Sequence, residues 1–312
     1  MPVQHLSTSG SPHSRVVHRH RSTFKYLHIC HRDHPCYACK QPEGRRMTRH
    51  PTQHADTRNE GAERFLIVSD IHSNIEELEA CQADARARGG FTRIWNIGDT
   101  VGYGPDPVAV LDTLRAIDVP VLSVKGNHDR TSIKNLWAQP DNYHRHADYL
   151  NWLDMSDADR TLLRAWPEEV VDLGFRIVHD PDNRYVTHAS TANEVLTKTT
   201  EATHVAVGHS HHPGYFVSAS APGEPVRCGP FVPFNDGDVL TFQEGHRYLI
   251  NPGSVGHPRD GDARTGYLLA TIEGDAVTIE ARRIPYDVEA TAKKLRERNY
   301  PAILQEMFRF GY

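Results

Sequence analysis

Five short polar blocks along the chain carry residue types that bind metal ions or move protons. In chain order they are Ser69-Asp70-Ile71-His72, Gly98-Asp99, Gly126-Asn127-His128-Asp129, His188 and Gly208-His209-Ser210-His211. Their donor atoms are carboxylate or amide oxygens and imidazole nitrogens. Taken alone, a Gly-Asp pair or a lone histidine is usually a turn or a structural residue. Five such blocks in one chain instead indicate a functional site that binds metal.

Each block follows a segment that predicts a β-strand. Phe65–Val68 is fully apolar, as in a strand buried on both faces. The other blocks follow the predicted strands 94–97, 119–124, 184–187 and 205–207. An α/β sheet normally places its site at such strand ends. In an extended chain, residues i and i+2 project to the same side, so Asp70 is expected beside His72, and His209 beside His211.

The first half of the chain alternates predicted strands with predicted helices. Ser73 and Asn74 are each followed three residues later by a glutamate, which is a helix-capping pattern, and Gly89-Gly90 ends that helix. Asp106-Pro107 opens a second helix that runs to residue 117. This order predicts an α/β fold. The second half is rich in predicted strands, one of them over 170–177, and ends with helices near 287–298 and 301–310.

Composition excludes several classes of protein. The 312 residues suffice for one large domain or two small ones. No apolar run approaches the roughly 18 residues of a membrane span, and no secretory signal segment is evident. Five cysteines are too few for a disulfide scaffold and suit a reducing compartment, so a cytoplasmic location is predicted. The chain beyond residue 62 is acidic, which argues against a nucleic-acid groove.

Residues 1–62 are predicted to form a disordered tail rich in His and Arg. They carry ten Lys/Arg, four Asp/Glu and nine of the 21 histidines, without a sustained apolar period. Cys30, Cys36 and Cys39 invite a zinc interpretation, but their spacing misses the usual structural-zinc patterns. Two further interpretations are that this segment is a targeting peptide, or that translation of the protein truly starts at Met47. The folded domain is predicted to span 63–312.

The order of the five blocks resembles the calcineurin-like metallophosphoesterase superfamily, and most closely its small prokaryotic phosphodiesterase-like branch. Further stretches agree with that branch: Gly102-Tyr-Gly-Pro-Asp-Pro107, Asn251-Pro-Gly-Ser-Val-Gly256, Pro258-Arg-Asp260 and Pro285-Tyr-Asp287. The resemblance spans residues 63–312. It implies two packed mixed β-sheets flanked by helices, an αββα sandwich.

The resemblance also implies a site with two divalent metal ions. Asp70, His72 and His211 would hold one ion, Asn127, His188 and His209 the other, and Asp99 would bridge both. This mixture of donors suits manganese, and also iron, nickel or zinc, better than calcium or magnesium. The two ions would turn a bridging water into hydroxide, which attacks the phosphorus of a phosphate ester. His128 would protonate the leaving oxygen, with Asp129 orienting it.

The chain departs from the family pattern in three places. Ser73 stands where glycine is usual, and the fourth-block histidine is followed by Ala189-Ser190 instead of Gly-Ser. His179 is a rival to His188, but Asp180–Asn183 suggests a hairpin, which favours His188. The residues from Pro213 to His246 form an insertion, expected to be a lid or part of the substrate pocket. Arg259 could contact a substrate phosphate or form a surface salt bridge.

The leading hypothesis is therefore a metal-dependent phosphodiesterase. Phosphomonoesterase or protein phosphatase activity is an alternative on the same fold, as is a non-catalytic scaffold like the retromer subunit that shares it. Scaffold members tend to lose ligand histidines, whereas every ligand position is filled here. The substrate is a phosphate ester, either a small molecule or a macromolecule. No membrane partner is expected, and a homo-oligomer is left open.

Overall fold

The computed structural model describes residues 62–134, 142–221 and 223–312. The predictions made for residues 1–61, including the disordered tail and the cysteine cluster, lie outside the described residues. Strands and helices are numbered in chain order. Within the described part, the strands form two mixed six-stranded sheets. The two-sheet α/β fold expected from the resemblance is confirmed.

The first sheet is parallel on one side and antiparallel on the other. Its spatial order is β3 (Val121–Ser123), β2 (Arg93–Asn96), β1 (Glu63–Val68), β11 (Thr265–Glu273), β12 (Ala276–Ile284) and β9 (Val239–Thr241). Strands β1, β2 and β3 are parallel, so their carboxyl ends meet at one edge of the sheet. Strand β11 runs antiparallel to β1, with Phe65 opposite Ala270.

The second sheet has the same mixed character. Its order is β4 (Glu169–Asp172), β5 (Phe175–Val178), β6 (His204–Ala206), β10 (Arg247–Asn251), β7 (Gly214–Ser218) and β8 (Val232–Pro233). Strands β5 and β6 are parallel, with Ile177 opposite Ala206. The carboxyl ends of these two strands therefore lie side by side.

Helices flank the two sheets. In the described part of the chain they are α1 (Ile75–Ala87), α2 (Pro107–Ala116), α3 (Asn127–Ser132), α4 (Tyr143–Asp154), α5 (Asp157–Ala165), α6 (Ala189–Lys198), α7 (Val288–Glu297) and α8 (Ala302–Phe310). Helix α1 begins as predicted, because the side chain of Asn74 accepts a hydrogen bond from the backbone N–H of Glu77 (3.3 Å). Helices α1 and α2 pack on the first sheet, and α6 packs on the second.

The main core lies between the sheets, and β1 shows how its sequence serves two layers. Phe65 and Ile67 point into the core between the sheets, where they join Phe175 and Ile250. Leu66 and Val68 point to the opposite face of the sheet, where they pack under α1 and α2. Alternate residues of a strand face opposite sides, so a strand buried on both faces must be apolar throughout.

Two local predictions in the second half are wrong. Residues 170–177, expected as one strand, form the hairpin β4–β5, which turns at Leu173 and Gly174, both with positive φ. The turn at Asp180–Asn183 is not a hairpin; Pro181–Asn183 is one 3₁₀ turn, and residues 184–187 are irregular. No helix in the described part is long and apolar enough to cross a membrane.

Candidate metal centre

The loops that follow β1, β2, β3, β5 and β6 converge, because parallel strands bring their carboxyl ends together. Backbone hydrogen bonds tie the first two loops: the Asp70 N–H donates to Gly98 O (2.9 Å) and the His72 N–H donates to Asp99 O (2.9 Å). Two groups of donor atoms result, all on buried side chains except the half-buried His209. One is Asp70, His72 and His211, and the other is Asp99, His179 and His209.

The backbone at these positions is strained. Asp70, His72, Asp99, His209 and His211 all have φ between +49° and +67°, the left-handed region that non-glycine residues seldom adopt. Such conformations cost of order 1–3 kcal/mol each and persist where the surrounding structure enforces them, typically at functional sites. Strand β1 has ended by Val68. The pair Asp70 and His72 therefore shares a site through left-handed backbone, not through strand alternation as predicted.

In the first group, three donor atoms face one another. His211 Nε2 lies 3.0 Å from Asp70 Oδ1, and His72 Nε2 lies 3.2 Å from His211 Nε2. The distance from His72 Nε2 to Asp70 Oδ1 is 3.7 Å. All three side chains are buried. The first predicted set of ligands is thus brought together in the structure.

In the second group, His179 takes the place expected for His188. His179 is fully buried, and its Nε2 lies 3.1 Å from Asp99 Oδ2. One amide atom of Asn127 lies 3.3 Å from the same carboxylate oxygen and 2.8 Å from His209 Nδ1. Asn127, Asp99 and His209 therefore meet at this group as predicted.

His188 is not part of either group, which corrects the sequence prediction. It is exposed and precedes the first turn of α6. The reason lies in strand pairing. Because β5 pairs in parallel with β6, the residue after β5, His179, meets the loop after β6 that carries His209. His188 lies beyond the irregular segment 184–187 and does not return to this edge.

Asp99 stands between the two groups. Its Oδ2 lies 3.1 Å from His179 Nε2 and 3.9 Å from His72 Nε2, one histidine from each group. Its Oδ1 accepts a hydrogen bond from the backbone N–H of His128 (2.8 Å). A single carboxylate oxygen therefore faces both groups, while the other oxygen anchors the loop after β3.

Backbone carbonyls orient the imidazoles. His179 Nδ1 lies 2.6 Å from Ile97 O, His211 Nδ1 is hydrogen bonded to His257 O, and His72 Nδ1 lies 3.4 Å from Val101 O. In the neutral form of such a ring, the nitrogen that faces the carbonyl carries the proton, which leaves the lone pair on Nε2. Hydrogen bonds of this kind orient the imidazoles of metal-binding histidines.

Electrostatics sets the charge of these histidines. Burial lowers the pKa of His72 and of His211, and brings that of His209 to about 4, so their lone pairs are available at neutral pH. His179 differs. Burial opposes its protonation, but the carboxylates of Asp99 and Asp70 outweigh burial and raise its pKa to about 10. The carboxylates of Asp99 and Asp70 therefore favour a positive charge at the second group.

The donor atoms fit divalent cations. Asp70 Oδ1 and His179 Nε2 are buried and form no well-aligned hydrogen bond, although His211 and Asp99 lie close to them. An unpaired buried polar group costs about 1–3 kcal/mol, a penalty that a cation bound to it removes. The ring nitrogens His72 Nε2 and His211 Nε2, neither carrying a proton in the orientation above, point at each other at 3.2 Å. A cation bound to both nitrogens explains why they lie so close together.

His128 lies beside the groups without belonging to them. Its ring packs edge-on against His72, with centroids 5.1 Å apart, and its Nδ1 lies 2.7 Å from Asp148 Oδ1. Both side chains are buried. Burial opposes protonation of His128, but Asp148 and Asp99 outweigh it and raise its pKa to about 9. Asp148, on α4, was missed because no motif marks it and it follows His128 by twenty residues.

Asp129 does not orient His128, contrary to the prediction. Its Oδ1 accepts hydrogen bonds from the backbone N–H groups of Thr100 (2.9 Å) and Val101 (3.1 Å), and its Oδ2 accepts one from Gly126 (2.9 Å). Burial, reinforced by the nearby charge of Asp99, raises its pKa to about 7. Asp129 therefore joins the loops after β2 and β3 and fixes the position of Asp99.

Close packing explains two glycines of the motifs. A Cβ on Gly126 would overlap the carboxylate of Asp99, and a Cβ on Gly208 would overlap the Ser69 hydroxyl and crowd Asp70. Ser69 in turn donates to Asp70 Oδ2 (2.6 Å), which leaves Oδ1 directed at the histidines. These glycines are thus required by the proximity of ligands, not by turns alone.

The insertion, expected as a lid or part of the substrate pocket, contributes three short strands to the sheets. It supplies β7 and β8 to the second sheet and β9 to the edge of the first. One further residue of the insertion, Phe231, lies beside the site. Phe231 helps line a cavity of about 170 Å³ whose wall includes Ser210, the residue between His209 and His211.

Comparison with known proteins agrees with this geometry. Residues 64–275 match the family model described as the calcineurin-like phosphoesterase superfamily domain. The crystal structure of a metallophosphoesterase from Sphaerobacter thermophilus is 32% identical, covers 81% of this chain and all of its own, and superposes with a TM-score of 0.67.

Two further relatives come from sequence comparison. An uncharacterized protein of Methanocaldococcus jannaschii is 28% identical over 257 residues, which cover 79% of this chain and 98% of that protein. A symmetrical bis(5'-nucleosyl)-tetraphosphatase of Aromatoleum aromaticum is 32% identical over 117 residues, or 37% of this chain and 43% of that enzyme. With the matched family model and the Sphaerobacter enzyme, these similarities lead to one conclusion: the chain belongs to the calcineurin-like phosphoesterase superfamily and is a phosphoric ester hydrolase of a metal-dependent family.

Proposed function

We propose that the protein is a phosphodiesterase with a dinuclear metal centre. Asp70, His72 and His211 would hold one ion, Asn127, His179 and His209 would hold the other, and Asp99 would serve both. The observation that carries this proposal is the pair of adjacent donor groups whose unpaired buried atoms face one another. Their histidine and oxygen donors favour manganese, with iron, nickel or zinc as substitutes.

The reaction is hydrolysis at phosphorus. Bound divalent ions supply Lewis acidity, which neutralises phosphate charge and lowers the pKa of water. Oxygen from water becomes bonded to phosphorus, the bond to the leaving oxygen breaks, and that oxygen takes a proton. His128 is the proposed donor: its Nδ1 is hydrogen bonded to Asp148, so the transferable proton is the one on Nε2.

Two observations support a diester rather than a monoester. The motif set resembles the phosphodiesterase-like branch. The tetraphosphatase relative is named for bis(5'-nucleosyl) tetraphosphates, in which every phosphorus carries two bridging oxygens, as in a diester. Phosphomonoesterase or protein phosphatase activity is the alternative.

The remaining parts of the proposal rest on the sequence. A cytoplasmic location follows from the low cysteine content; Cys81 and Cys228 carry free thiols. The partner is a phosphate ester substrate, either a small molecule or a macromolecule.

A metal-reconstituted activity screen tests the proposal. The purified protein is stripped of metal, loaded separately with manganese, iron, nickel and zinc, and assayed on bis(4-nitrophenyl) phosphate and 4-nitrophenyl phosphate. We expect metal-dependent turnover, fastest with manganese, and a higher kcat/KM on the diester. Faster turnover of the monoester would favour the phosphatase alternative. Turnover that persists in the stripped protein would refute the metal centre.

A further inference from the structure

Arg259 lies across the two groups of donor atoms, one side-chain layer outside them. Its Nη2 donates to the Tyr103 hydroxyl (3.0 Å) and its Nη1 to the Tyr185 hydroxyl (3.5 Å). The Tyr103 ring contacts His72 edge-on at 4.6 Å between centroids, and the Tyr185 ring stacks on His209 at 4.1 Å. Each tyrosine thus touches a ligand of a different group, and Arg259 joins the two tyrosines.

The charge of Arg259 is not neutralised by the protein. In the part of the chain that the structure describes, no carboxylate lies within 4.0 Å of its guanidinium group, and its partners are hydroxyls and an imidazole. Neighbouring arginines behave differently: Arg283 pairs with Asp260 and Arg184 with Glu194, each at 2.7 Å. A partly buried guanidinium without an acidic partner is suited to bidentate binding of an anion from outside.

Tyr185 offers an aromatic surface next to that charge. Its ring is nearly parallel to that of His209 (11°), and 50% of the residue is exposed. Among the described residues, His209 provides its only aromatic ring contact. A half-exposed aromatic ring beside an arginine is the combination that binds nucleotides, because the ring stacks on the base and the guanidinium binds phosphate.

We propose that Arg259 and Tyr185 form a nucleotide subsite, in which Arg259 binds the phosphate adjacent to the scissile one and Tyr185 stacks on the base. This inference rests on the proposed function, because it names the substrate class of the same site. Since Arg259 lies one layer beyond the donor groups, it reaches the next phosphate rather than the one being cleaved. The substrate class is a nucleotide with two or more linked phosphates.

Binding measurements test the role of Arg259 without turnover. The manganese-loaded protein is titrated calorimetrically with AMP and with the non-hydrolysable α,β-methylene-ADP. The wild type should bind the diphosphate analogue more tightly, and Arg259→Gln should weaken it by about 10- to 100-fold while changing AMP affinity less than about threefold. Arg184→Gln removes the same charge next to Tyr185 from a surface ion pair, and should leave both affinities unchanged. Equal weakening of both ligands by Arg259→Gln, or of neither, would overturn the proposal.

A second pair of variants tests the aromatic surface. Tyr185→Leu should weaken α,β-methylene-ADP by about tenfold and leave methylenediphosphonate, which lacks a base, unchanged. Tyr185→Phe keeps the ring and should retain most of the affinity. Metal content is measured in both variants, because Tyr185 touches His209. Equal binding of the nucleotide by Tyr185→Leu and wild type would refute the stacking role.

Failure of the subsite can be told from failure of the proposed function. A wild type that hydrolyses bis(4-nitrophenyl) phosphate but binds AMP and the diphosphate analogue equally would refute the subsite alone. A wild type that hydrolyses no ester but prefers the diphosphate analogue would refute the proposed function and keep the nucleotide subsite.

Discussion

The pairing of Asp148 with His128 makes the sharpest prediction about catalysis. Asp148 Oδ1 lies 2.7 Å from His128 Nδ1, and both side chains are buried. We predict that Asp148→Ala leaves the metal content unchanged but slows turnover, because His128 loses the carboxylate that positions it and supports its charge. A hydrogen bond to a charged group contributes about 1.5–3 kcal/mol, which corresponds to roughly 10- to 150-fold in rate.

The assay compares two diesters that differ in leaving group. Diphenyl phosphate releases a basic phenolate that needs protonation, whereas bis(4-nitrophenyl) phosphate releases a stable nitrophenolate. The loss in kcat should therefore be about 10- to 150-fold on diphenyl phosphate and several times smaller on the nitrophenyl ester. Asp154→Ala, at the end of the same helix and paired with Arg298, is the control and should be near wild type. An equal loss on both esters would refute proton donation by His128.

Three further predictions concern the metal bridge, a buried acid and the tail. Asp99→Asn should abolish turnover and lower metal content, because it removes the charge shared between the ions; unchanged metal analysis would contradict the bridge. Burial raises the pKa of Glu77 well above the unfolded value of 4.5, so the native state binds more protons and stability falls as pH rises above that value. Glu77→Gln should abolish the part of this pH dependence that Glu77 causes, so the Tm of the variant should fall less than that of the wild type between pH 5 and 8. An identical fall in both proteins would contradict the role of Glu77. Deleting residues 1–46 should change neither activity nor Tm appreciably, and zinc retained only by the full chain would instead revive the cysteine cluster.

Local sequence signals predicted the frame of the fold well. The apolar run at Phe65–Val68 is a strand buried on both faces, and Asn74 caps α1 as its spacing with Glu77 indicated. These features depend on neighbours within a few residues, so they can be inferred from the sequence. The alternation argument placed Asp70 beside His72 correctly but for the wrong reason, because positive φ angles do not show in a residue pattern.

Long-range pairing explains what the sequence did not reveal. Choosing between His179 and His188 required knowing that β5 pairs in parallel with β6, a contact between segments about thirty residues apart. Asp148 reaches His128 only because α4 packs against α3. Asp129, which adjoins His128 in sequence, instead accepts hydrogen bonds from the backbone N–H groups of Thr100 and Val101, in the loop after β2. Adjacency in the chain was a poor guide to contact here.

The most direct test of the account is the number of metal ions that each histidine variant binds. Wild type, His179→Ala and His188→Ala are loaded with manganese under identical conditions, dialysed, and analysed by inductively coupled plasma mass spectrometry. We predict that His179→Ala holds one ion fewer than the wild type, because the second group loses a buried ligand, and that His188→Ala holds as many as the wild type. Loss of an ion from His188→Ala, with full occupancy in His179→Ala, would contradict it.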